Sequence, residues 1–75
     1  MQKILFISDK RELEELVKRV PLPESVTVIN LTEKRLLGWF YFEFGRFGVV
    51  TPALVTKDVI VFSLDGVVSY FQTGR

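Results

Sequence analysis

Seventy-five residues, ten Lys and Arg against nine Asp and Glu, make one small domain of net charge +1. The chain contains no cysteine and no histidine, which excludes disulfides, thiol and imidazole catalysis and the usual structural zinc sites. A domain this short buries only about 60% of its unfolded surface, so its core must be ordinary apolar packing, which a 48% hydrophobic composition supplies.

Ile4-Leu5-Phe6-Ile7 is a continuous apolar run, which predicts a strand covered on both faces. Asp9 with Glu12 three residues on is a capping-box-like start to a helix. Leu13, Leu16, Val17 and Val20 form its apolar stripe. Glu14 and Glu15 precede Lys18 and Arg19 by four residues, as ion pairs on the outer face. Pro21 and Pro23 end the helix. Residues 26–31, rich in β-branched side chains, form the second strand, parallel to the first across a βαβ unit.

Thr32 is placed to cap a second helix from Glu33, in which Leu36, Leu37, Phe40, Tyr41 and Phe44 keep helical spacing. Trp39-Phe40-Tyr41-Phe42 also has strong β preference, so a strand is the alternative for this segment. After Gly45 and Gly48, residues 49–56 and 59–62 read as a hairpin around Lys57-Asp58. Asp65 then caps a last helix, with Val67, Val68 and Phe71 inward and Gly74 beyond its end. With no repeat or linker, residues 1–75 read as a single domain.

The order is therefore β-α-β-α-β-β-α, and Phe47-Gly48-Val49-Val50-Thr51-Pro52-Ala53-Leu54-Val55 resembles the segment before the edge hairpin of thioredoxin- and glutaredoxin-like proteins. The resemblance spans nearly the whole chain in element order and nine residues in motif. It implies a minimal thioredoxin-like α/β fold, a mixed four-stranded sheet with helices on both faces. It also implies a cis peptide at Pro52 and backbone groups beside it offered to an extended substrate. The family's redox cysteines belong between the first strand and the first helix, where this chain reads Ile7-Ser8-Asp9-Lys10-Arg11. Without a thiolate, dithiol exchange does not carry over.

Two candidate sites follow. Ser8, Asp9 and Lys10 at the first helix, with Val50, Thr51 and Pro52, form a candidate ligand- or peptide-binding site. The first helical N–H groups there suit an anion or a peptide terminus, although capping alone explains Asp9. Ser8 has no base beside it in the sequence, so no catalytic residue is assigned. The second site is the aromatic segment. Six of the ten aromatics (Trp39, Phe40, Tyr41, Phe42, Phe44 and Phe47) fall within nine positions. Trp39 and Phe42 lie about 100° and 200° round a helix from Phe40 and cannot share its buried face. Leu36, Trp39, Phe42, Glu43 and Arg46 are the candidate interface, with a homodimer as the first expectation. Membrane-surface docking is disfavoured because the segment is short and Glu43 interrupts it.

The function expected is a non-catalytic thioredoxin-like binding module, self-associating through its aromatic helix. The alternative is a small-ligand or peptide binder, or a minimal enzyme, using the Ser8/Asp9 helix start and the Thr51-Pro52 turn. Reading residues 39–44 as a strand gives a third possibility, a ferredoxin-like RNA-binding domain. For that fold Arg46-Phe47-Gly48-Val49-Val50 lacks a glycine and a second aromatic. The near-neutral charge also gives no case for nucleic acid. No cofactor or metal is expected. The apolar runs are too short for a signal peptide or a membrane span, which points to the cytoplasm. One Asn and two Gln in the chain hint at a thermophilic source. A mean hydropathy of +0.28 leaves apolar surface for a partner.

Overall fold

The first apolar run becomes β1 (Lys3–Ile7), the inner strand around which the fold is laid, in a computed structural model that describes residues 3–73. Helix α1 (Lys10–Arg19) carries the chain back to β2 (Val26–Asn30), parallel to β1 with Leu5 beside Val28. Helix α2 (Leu37–Phe44) runs on into a 3₁₀ turn, Gly45–Phe47. Strand β3 (Ala53–Val55) then pairs antiparallel with the other edge of β1, and β4 (Ile60–Phe62) pairs antiparallel with β3. Helix α3 (Leu64–Gln72) completes the order β-α-β-α-β-β-α over a mixed sheet of order β2-β1-β3-β4. The α/β class, element order and four-stranded mixed sheet are those the sequence predicts.

Alternation along β1 divides the core in two. Leu5 and Ile7, with Leu54 of β3, pack against Leu16 of α1, Val20 just past its end, and Val67 and Val68 of α3. Phe6 and Ala53 face the other way, against Leu31, Phe40 and Val49. α1 and α3 thus share one face of the sheet, and α2 covers the other. A strand buried on both faces needs no polar alternation, which is why β1 reads as a solid apolar run.

Several local expectations are corrected. α2 starts at Leu37, not at Glu33, because Asn30 opens a turn instead of Thr32 capping a helix. The Asn30 side-chain oxygen accepts the Glu33 N–H at 3.0 Å, and the Leu31 carbonyl accepts the Leu36 N–H at 2.8 Å. Arg35 sits at φ 58 within that turn, outside the helical region. The strand alternative for residues 39–44 is overturned, since all of them lie in α2. On α1, Leu16 is the buried residue, with Val20 buried just past the helix end, and Val17, about 100° round from Leu16, is exposed. The ion pairs also differ: Lys18 meets Glu15 at 3.5 Å, and Arg19 reaches across to Asp65 of α3 at 3.2 Å.

Of residues 49–56 only Ala53–Val55 pair as a strand. Pro52, which has no N–H to give a ladder, stands immediately before them. The hairpin does turn at Lys57-Asp58, and Thr56 holds it. Its N–H donates to the Val59 carbonyl at 2.9 Å, and its hydroxyl oxygen accepts the Val59 N–H at 3.0 Å. The cap of α3 is Ser63, whose hydroxyl oxygen accepts the Gly66 N–H at 3.2 Å. Asp65 is already inside the first turn, so it cannot cap and faces Arg19 instead. Gly74, expected beyond that helix, lies outside the described residues.

Candidate functional site

β1 ends by delivering Ser8 to the first turn of α1, and the loop before β3 brings Val50, Thr51 and Pro52 alongside it. Between them, with Ser63 and Leu64 also in its lining, lies a groove of about 390 Å³. The Thr51–Pro52 peptide is cis. Five of the six residues expected to share a site (Ser8, Asp9, Val50, Thr51 and Pro52) do line this groove. Lys10 is exposed and does not line it; the basic residue at its wall is Arg11.

The polar centre of the groove is Glu12. Asp9 caps α1 by accepting the Glu12 N–H at 3.1 Å. The Glu12 side chain folds back, as a capping box does, but onto the preceding residue. One carboxylate oxygen accepts the Ser8 N–H at 2.9 Å; the other accepts the hydroxyls of Ser8 and Thr51, each at 3.1 Å. Two carboxylates therefore already sit at the positive end of the α1 dipole. With Glu15 also in the wall and Arg11 as its one basic residue, the groove is acidic on balance, which disfavours an incoming anion. What the groove does leave open is backbone. Val50 is exposed, and neither Val50 nor Thr51 makes a backbone–backbone hydrogen bond among the turns and loops of the described residues.

The aromatic segment is graded by helical angle. Phe40 is fully buried, Trp39 and Tyr41, about 100° to either side, are each 44% exposed, and Phe42, about 200° away, is 74% exposed. Trp39 is not free of the core: its ring centre is 5.9 Å from those of Phe6 and Phe44. Phe40 and Phe44 lie 5.5 and 6.2 Å from Phe6, so three rings of α2 clamp one ring of β1. Phe42 takes no part in that clamp. Of the other residues expected at an interface, Leu36 is half-buried against the core and Glu43 is half-buried. Arg46 is exposed, its guanidinium 5.2 Å from the centre of the Phe47 ring.

Sequence reasoning missed Tyr41 and Phe47 on the exposed aromatic surface. The angle that finds Trp39 finds Tyr41 equally, whereas Phe47 belongs to a 3₁₀ turn that helical spacing does not foresee. In the groove it missed Glu12, which the capping-box spacing could have supplied. Ser63 and Leu64 have no local signal, because only the β3–β4 hairpin carries them there. Among the described residues no group of His, Cys, Asp or Glu could hold a metal ion, and no helix is long and apolar enough to cross a membrane. In comparisons with known proteins, no family model, no curated protein and no solved structure matches this chain.

Proposed function

We propose that this chain is a non-catalytic binding module of thioredoxin-like architecture, without thiol redox chemistry, that docks on a second copy of itself through the outward side of α2. The observation that carries this reading is Phe42, a large ring 74% exposed at the point of α2 farthest from the core. Trp39, Tyr41 and Phe47 add three more half-exposed or exposed rings within one short segment. At 150–250 Å² per aromatic side chain, the four together offer about 450 Å² per subunit, over half of the ~800 Å² that each side of a standard interface buries.

Two further features suit self-association. A net charge of +1 leaves two copies with little mutual repulsion. The clamp of Trp39, Phe40 and Phe44 on Phe6 fixes α2 before any partner arrives, so little ordering remains to oppose docking. Thermal unfolding at several protein concentrations tests the proposal. A dimer gains stability by mass action, so the melting temperature must rise with concentration. A midpoint independent of concentration would contradict it.

The groove supports a second reading, an extended peptide held beside Pro52. The backbone of Val50 and Thr51, which makes no backbone–backbone hydrogen bond among the turns and loops of the described residues, favours it, since free main-chain groups can recruit a peptide. This is also what the thioredoxin-like resemblance implies for that segment. Titration with extended peptides, followed by backbone amide shifts, would move Val50 and Thr51 first if this reading holds.

A further inference from the structure

Gly38 and Phe42 stand one helical turn apart on the outward side of α2, each about 200° round from the buried Phe40. Their shapes are opposite. Phe42 raises an exposed ring, while a Cβ placed on Gly38 would meet nothing within 4 Å. Gly38 has no left-handed φ, so its backbone does not require glycine. Glycine weakens a helix relative to alanine, and no packing inside the subunit explains it at this exposed position.

A two-fold interface supplies the explanation, because there residue i meets residue j and j meets i. We infer that α2 packs antiparallel against α2 of a second copy, with Phe42 of each subunit seated over Gly38 of the other. The inference rests on the self-association proposed above and adds its register. Gly38 and Phe42 share an i, i+4 ridge, and ridges of that kind interlock at a crossing angle near −50°. At that angle the short helices diverge toward their ends. Lys34 and Arg35 of one subunit then stay clear of Arg46 of the other, which a parallel-axis approach would crowd with like charge. Trp39, held by Phe6 and Phe44, forms a rigid flank to the seat.

The chain has no cysteine, so single-cysteine variants report contacts cleanly. Gly38→Cys and Phe42→Cys, mixed in equal amounts under mild oxidation, form a 38-to-42 disulfide across the interface and keep one Phe42–Gly38 seat intact. The mixture should cross-link at least roughly ten-fold faster than either variant alone, because the 38–38 and 42–42 pairs are offset beyond the ~7 Å Cα separation a disulfide tolerates. Gly38→Cys has open space for its side chain and should fold normally. If the wild type is a dimer by sedimentation but the mixture shows no preference, the register is wrong while self-association stands. If the wild type is a monomer, both fail.

Discussion

The Thr51 hydroxyl donates to the Glu12 carboxylate at 3.1 Å, a bond that ties the loop before Pro52 to the first turn of α1 across 39 positions of sequence. The same carboxylate holds both the N–H and the hydroxyl of Ser8. Glu12 therefore holds two sides of the groove, Ser8 and Thr51, with three bonds, and it does so from a half-buried position where water competes incompletely.

Glu12→Ala removes all three bonds and leaves two hydroxyls to find new partners. Hydrogen bonds to charged groups contribute about 1.5–3 kcal/mol each when well shielded, and partial exposure reduces this, so a total loss of about 2 kcal/mol is expected. For a domain of this size that is a fall of roughly 8–16 °C in melting temperature. Glu14→Ala, on the exposed face of the same helix, should change stability by less than about 0.5 kcal/mol. Equal effects from the two variants would show that Glu12 is a solvated side chain.

The start of α3 gives a second contrast. Ser63→Ala removes the cap bond to Gly66 and should cost about 1 kcal/mol. Ser63→Gly should cost less, since Ser63 stands at φ 69, where glycine has no steric penalty. Asp65→Ala loses the exposed pair with Arg19 and a favourable charge in the first turn of α3, both weakened by exposure. Chemical denaturation should find Ser63→Ala the most destabilising of the three. Asp65→Ala as the most damaging change would restore Asp65 as the cap.

What the sequence revealed was set by local chemistry. β1 and α1 were legible because an unbroken apolar run and an Asp9…Glu12 start each have one favourable structure. Exposure across Phe40, Trp39 and Phe42 followed from angle alone. The start of α2 was not legible: Thr32 offers a cap by sequence, whereas the turn that Asn30 opens goes with the packing of Leu31 and Phe40 beside Phe6. The pairing of Arg19 with Asp65 rather than Glu15 depends on α3 lying beside α1, which no spacing in the chain reports. Glu12 was visible as a helix-start residue but not as the centre of a groove, because Thr51 reaches it only once β3 has paired with β1.

The claim that α2 is a self-docking surface is tested most directly by sedimentation equilibrium on the wild type and Phe42→Glu. Burying one such ring is worth roughly 2–3 kcal/mol, and a buried, unpaired carboxylate in its place costs more than that. Phe42 lies outside the ring clamp on Phe6, so its replacement should leave the far-UV circular dichroism and the fold unchanged. At tens of micromolar the wild type should sediment at twice the 8.7 kDa chain mass, and Phe42→Glu at the chain mass itself. A wild type that stays at 8.7 kDa throughout that range would contradict the account.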